Sequence, residues 1–175
     1  MRPLAPARTR ACLVDGAGYL GLAAALVPLG LVLHPRGRPS RASLLALSAL
    51  PPVAATLLAA RQEATGGTPG HRRAGMVVVT ADGSPPGPGR ALLRNALKTG
   101  LPWQLGHVVA LGAAAGGFER RDPQLLAATE LVYPWLAVAA VAVATGTGRG
   151  LHDRAAGTTV VAVGPLTSRR ADPPR

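Results

Sequence analysis

Four long apolar stretches constrain this chain more than any other feature. The first runs from Cys12 to Leu33, interrupted only by Asp15, and the second covers residues 42–60 and holds Pro51 and Pro52. The third covers 101–117 and carries His107, and the fourth covers 125–145 and carries Glu130. A helix needs about 20 mostly apolar residues to cross a bilayer, with about 17 as the lower end. The third stretch is borderline and either crosses or turns back as a re-entrant segment. Composition points the same way. One Phe, two Tyr and two Trp would leave a soluble core without bulky fillers, whereas blocks of Ala, Leu, Val and Gly suit close-packed membrane helices.

The formal net charge of +11 would also suit a nucleic-acid binder. Its distribution argues against nucleic acid, because the arginines sit between apolar blocks instead of along one polar face. Anionic lipid headgroups are the expected partner. Arg2, Arg8 and Arg10 precede the first stretch as in a signal peptide, but no small-residue cleavage site precedes His34-Pro35-Arg36, so an uncleaved helix is expected. Cys12 is the only cysteine, which excludes an intrachain disulfide and reads as a small buried filler.

Lys and Arg counts orient the spans. With the N-terminus inside, the inner segments hold fourteen basic residues and the outer loops five, namely Arg36, Arg38, Arg41, Arg120 and Arg121. Both termini are therefore expected in the cytoplasm, and the cell membrane is the expected location.

The inner segment between the second and third stretches has its own pattern. Met76 to Thr80 is β-prone and closed by the turn signal Ala81-Asp82-Gly83-Ser84. Arg90, Arg94 and Lys98 then recur every four residues, which predicts an amphipathic helix on the inner leaflet with these cations towards headgroups. A helix packed on the protein's own body is the alternative. Residues 158–163 form a second β-prone run, expected to pair with the first. Residues 165–175 read as a disordered basic tail. The expected fold is an all-α membrane domain over residues 1–164, with about four transmembrane helices, an inner-leaflet amphipathic helix and a small cytoplasmic β-pair.

Four motifs, in order, resemble the RDD family. Arg8 stands seven residues before Asp15, as in the family's opening. Gly67-Thr68-Pro69-Gly70-His71-Arg72-Arg73-Ala74-Gly75-Met76-Val77-Val78 is similar to its central glycine-rich motif leading into a strand, with His71 where a Lys is usual and Val77 where an Arg is common. Ala91 to Asn95 resembles the helix that follows. Leu151-His152-Asp153-Arg154-Ala155-Ala156-Gly157-Thr158-Thr159-Val160-Val161 resembles the closing motif, with Asp153 as the second aspartate. The resemblance implies a membrane location and transport, with ion or proton exchange among the possibilities.

Three ionisable residues, Asp15, His107 and Glu130, lie within apolar stretches. A charge in hydrocarbon costs roughly 3 kcal/mol or more, so such groups are expected to face the bundle interior as a transport route or as interhelical hydrogen-bond glue. Depth counting predicts one polar cluster of Arg8, Asp15, Arg94 and Asp153 at the cytoplasmic boundary. Glu130 falls nearer the outer side, where Tyr133 and Trp135 read as an aromatic anchor. Ala17, Gly21 and Ala25 share one face of the first helix and suit either packing within the chain or a homodimer. No enzyme signature appears: there is no Gly-x-Ser-x-Gly elbow, no P-loop and no metal-ligand spacing. Gly146 to Gly150 lacks the strand and helix context of a phosphate loop, and His34 and His71 read as isolated loop residues. The expected protein is a non-enzymatic transporter, with monovalent cation–proton exchange as its form and a membrane scaffold as the alternative; no cofactor or metal is expected.

Overall fold

Proline and glycine set where the apolar runs bend and where the chain can turn. In a computed structural model, residues 4–33, 39–144 and 149–163 are described; the predicted tail at 165–175 and most of the glycine-rich segment Gly146 to Gly150 lie outside these residues. Helix α1 (Leu4–Leu33) starts eight residues earlier than the apolar run. Helices α2 (Arg41–Ser48) and α3 (Leu50–Ala64) form the second run, separated by a break at Ala49. Short α4 (Pro69–Arg73) leads into β1 (Met76–Thr80). Helix α5 (Pro88–Asn95) continues through a π turn (Ala96–Gly100) into α6 (Leu101–Ala114). Helix α7 (Pro123–Ala144) follows, then α8 (Leu151–Ala155) and β2 (Thr158–Ala162).

Among the described residues, three helical segments are long and apolar enough to cross a membrane: Leu4–Leu29, Arg41–Ala64 and Pro123–Ala142. The α2–α3 break follows from Pro51 and Pro52, which lack the amide protons that a continuous helix needs. Near the break the Leu45 carbonyl accepts from Ser48 Oγ at 2.9 Å and from Gln104 Nε2 of α6 at 3.3 Å.

The third apolar run differs from its predicted bounds of 101–117. Its α-helix ends at Ala114, but the helical run from α5 through the π turn to α6 lies antiparallel along α3 and α2. Asn95 Nδ2 donates to Glu63 Oε2 at 2.8 Å at one end of this pairing, and Gln104 meets Ser48 near its middle. Near the other end, Gly112 lies beside Arg41, which is ion-paired to Asp122. Asp122 also caps α7, accepting from the amides of Gln124 at 2.9 Å and Leu125 at 3.1 Å.

The two β-prone runs pair as predicted. They are antiparallel, with Met76 opposite Ala162, Val78 opposite Val160 and Thr80 opposite Thr158. Met76, Val78 and Val160 are buried with Ala11 of α1, and Leu4 and Ala7 pack around them. The first turns of α1 therefore rest on the sheet. The sheet also carries an internal repeat. Each strand follows a short helix and a glycine in the left-handed region, Gly75 at φ 64° and Gly157 at φ 65°, where a side chain would be strained. Val78 and Val160, the paired centre, occupy equivalent positions of the two units, so the units face each other about a local two-fold.

Helix α5 corrects an expectation. Arg94 does not point outward; it is 2% exposed, while Leu92 and Leu93 face out at 43% and 45%. The buried carboxylates of Glu63 and Asp153 draw the guanidinium inward, which leaves Leu92 and Leu93 on the outer side.

A charged cavity between the first and last long helices

Helix α1 places Leu4, Arg8, Ala11 and Asp15 on one face, since steps of three and four residues return to the same side of a helix. This face meets α4. Asp15 Oδ2 accepts from Thr68 Oγ1 at 2.6 Å and Asp15 Oδ1 from the Gly70 amide at 2.8 Å. A Cβ at Gly70 would collide with the Ala11 carbonyl and lie 2.8 Å from the Asp15 carboxyl carbon. Glycine is therefore required for α4 to approach α1. Gly67, at φ 105°, turns the chain into α4, and its carbonyl accepts from Arg72 Nη1 at 2.6 Å.

Beside this contact lies a buried ion-pair network. Arg94 pairs with Glu63 and, through Nε, with Asp153 Oδ1 at 2.9 Å. Asp153 also stands 3.7 Å from Arg8 and 3.6 Å from His152 Nε2, and accepts from the Gly150 amide at 2.9 Å. Glu63 stands 3.9 Å from both Lys98 Nζ and His71 Nδ1. Thr158 Oγ1 donates to the Asp153 carbonyl at 3.4 Å and ties β2 to the site.

These geometries set the protonation states. Burial pushes His71 down to about 3, with Lys98 and Arg94 adding to the effect. His152 is likewise lowered by burial. Burial works against the charge of Asp153, but Arg94 and His152 hold the carboxyl below its usual range. Both imidazoles are thus neutral at physiological pH and the carboxylate is charged.

The network opens onto a cavity of about 530 Å³ between α1 and α7. Its polar wall carries Arg8, Asp15, His71, Arg94, Lys98 and His152. The apolar lining includes Leu13 of α1, Pro102 of α6 and, from α7, Trp135 and Leu136. Lys98 belongs to the π turn, a feature that often accompanies functional sites.

Of the four residues expected to cluster, the structure joins Arg8, Arg94 and Asp153 in one ion-pair network and sets Asp15 beside it. Asp15 is hydrogen-bonded to Thr68 and Gly70 instead of ion-paired. Glu63, which the sequence reading passed over, supplies the second carboxylate. It closes the helix after the second apolar run and reads in sequence as an ordinary helix-end charge. Its partner Asn95 lies in the family-like helix, the one signal that could have pointed to it.

Other expectations are corrected. His107 lies on α6 with Trp103 Nε1 donating to it at 3.2 Å, and is not a cavity residue. Glu130 is exposed on α7 instead of facing inward, because Leu125, Ala128 and Val132 occupy that helix's buried side. His71 is buried in α4 and lines the cavity, as does Trp135, which was expected as an outer anchor. Cys12 is exposed and lines the cavity too. Ala17, Gly21 and Ala25 are exposed, so packing within the chain does not cover them.

A scan of protein families matches the RDD family over residues 7–157, a range that takes in α1, the α4–β1 unit, α5 and the α8 motif. The chain belongs to the RDD family. It is a membrane protein of mostly helical fold with a two-stranded sheet. Neither curated proteins nor solved structures yielded a match. The RDD motifs now have physical roles: Gly70 allows contact with α1, Thr68 and Gly70 hold Asp15, Asn95 holds Glu63, and Asp153 joins Arg8 to Arg94. Among the described residues no group of three or more His, Cys, Asp or Glu side chains stands ready to hold a metal ion.

Proposed function

We propose that this RDD protein is a transporter of a small ionic solute, not an enzyme, and that the cavity between α1 and α7 is its substrate chamber. The cavity carries the reading: it places six ionisable side chains within an apolar helical body, where charges are otherwise excluded. Asp15 offers a carboxylate on the wall and His71 and His152 offer groups for proton movement, so exchange of a monovalent cation against protons is one form this transport takes. We place the protein in the cell membrane with four crossings and both termini in the cytoplasm. The helical run that spans from Glu63 to Arg41 supports the third crossing, and the fourteen-to-five bias of basic residues supports the orientation. The exposed face of Ala17, Gly21 and Ala25 supports association as a homodimer.

The test is proton and ion flux in proteoliposomes of the purified protein under imposed Na⁺, K⁺ and pH gradients. Flux should be lost in Asp15→Asn while the variant still inserts and folds. Absence of flux in the wild type under every gradient would sink the reading. The alternative, a scaffold that recruits anionic lipid through Arg90, Arg94 and Lys98, has a reduced surface: Arg94 is buried and Lys98 lines the cavity, which leaves Arg90 exposed.

A further inference from the structure

Donors and acceptors on the cavity wall do not balance. Glu63 and Asp153 are fully buried and already engaged by Arg94, Asn95 and the Gly150 amide. Neither carboxylate lines the cavity. Among the described residues Asp15 is the one carboxylate on its wall, and its two oxygens accept from Thr68 and Gly70. The donors are less well served. Arg8 is 10% exposed at its side chain, yet its Nε has no hydrogen-bond partner among the described residues. His71 is 6% exposed, and its Nδ1 is likewise without one. Lys98 Nζ stands 3.9 Å from Glu63, beyond hydrogen-bond reach.

Buried donors without acceptors are costly. An anion with several oxygens accepts from Arg8 Nε, from Lys98 Nζ and from the Nδ1–H tautomer of His71, and a guanidinium together with an ammonium group favours phosphate. The rest of the cavity narrows the source of that phosphate. Trp135, Leu136, Leu13 and Pro102 give an apolar wall that a free ion would leave unfilled. The helices bounding the space are apolar outward as well, with Leu20 of α1 68% and Leu131 of α7 62% exposed. Helix α1 packs on α3 and α4, and α7 packs mainly on α6, so the cleft between α1 and α7 is not sealed by their own packing. Its volume of about 530 Å³ falls in the ordinary range for a ligand pocket.

We infer that the cavity binds an anionic phospholipid, whose phosphate is held by Arg8, His71 and Lys98 and whose acyl portion lies against Trp135 and Leu136. This goes beyond the transport reading: it assigns a lipid ligand to the cavity and does not depend on the ion moved.

Cys12, the one cysteine, lines the cavity and serves as the reporter. The rate of its alkylation by a maleimide is measured on the detergent-purified chain with added short-chain phosphatidylglycerol, phosphatidylcholine, inorganic phosphate or alkali-metal chloride. Phosphatidylglycerol should slow labelling severalfold at concentrations where phosphatidylcholine has little effect. Lys98→Gln, the most exposed of the three donors, should raise the half-protecting concentration by about tenfold, as loss of one charge-assisted hydrogen bond requires. Should that variant not fold, native mass spectrometry of the wild type decides: a retained or added phosphatidylglycerol in preference to phosphatidylcholine supports the site. Equal effects of the two lipids overturn it. Protection by inorganic phosphate or by alkali cations without protection by phosphatidylglycerol overturns it too. Flux is read separately. Lipid protection without flux sinks the transport reading and leaves the site, whereas flux without lipid protection does the opposite.

Discussion

Glu63 of α3 and Arg94 of α5 form an ion pair closed to solvent, with side chains 0% and 2% exposed. The pair joins two segments that the sequence separates by α4, β1, a turn and a proline-rich linker. Asn95 reinforces it from the next position, and Asp153 engages the other edge of the same guanidinium. Arg94 is thus the point at which α3, α5 and α8 are tied together.

Removing one partner of such a pair strands a buried charge. Glu63→Gln should therefore destabilise the chain by about 3–5 kcal/mol. Glu63→Leu combined with Arg94→Leu should cost less than the sum of the two single changes, since no uncompensated charge remains from this pair. Thermal unfolding of the detergent-purified variants measures the coupling, and simple additivity would show that the pair contributes no mutual term.

Gly70→Ala should abolish accumulation of folded protein, because the added methyl meets the Ala11 carbonyl and the Asp15 carboxylate at once. Gly16→Ala is the control on the neighbouring face of α1, where a Cβ meets nothing within 4 Å. Fluorescence-detected size exclusion of the two variants makes the comparison. Equal yields would mean that α4 does not sit against α1 as described.

Stability should fall with acidification through His71. Burial lowers its folded-state value from the ordinary 6.5 to about 3, so the unfolded chain binds the proton first. The stabilisation is complete above about pH 6.5 and is lost as the pH falls towards 3, with a slope of at most about 1.4 kcal/mol per pH unit. The groups around the ring are Arg94, Lys98 and Arg8, which oppose its protonation, and Asp15 and Glu63, which favour it. His71→Gln should flatten the unfolding midpoint between pH 6 and pH 4 by about one proton's worth, leaving the slope from His152. An unchanged pH profile would show that His71 is not held neutral.

The β-pair was legible because β-branched residues bounded by turn signals read alike wherever they lie, and nothing else in the chain competes for them. Arg8 and Asp153 were legible through depth counting. The direction of Arg94 was not, since a four-residue spacing of cations looks like a solvated face, whereas its partners Glu63 and Asp153 lie far off in sequence and leave no periodicity. Glu63 was hidden by its place at a helix end, where a lone charge is unremarkable. Cys12 and Trp135 each looked like packing or anchoring residues. What makes them cavity residues is the spacing between α1 and α7, which is set by contacts with α3, α4 and α6 and leaves no periodicity in the sequence.

The crossing count can be tested at the Arg41–Asp122 end. This ion pair joins Arg41 at the start of α2 to Asp122 at the start of α7, so these two helix starts lie at one end of the molecule. The network of Glu63, Arg94 and Asp153 marks the other end. The continuous helical run from Pro88 to Ala114 connects the two. It includes 19 residues from the π turn to the end of α6, about 28 Å at 1.5 Å per residue and close to the roughly 30 Å hydrocarbon core. Topology reporters fused at Arg38 and at Arg120 should therefore both report the outside, and one fused after Asp153 the inside. Cysteines replacing Arg41 and Asp122, in a chain with Cys12 changed to Ser, should crosslink readily. A reporter at Arg120 on the side opposite to the one at Arg38 would convert the third run into a re-entrant segment and reduce the crossings to three.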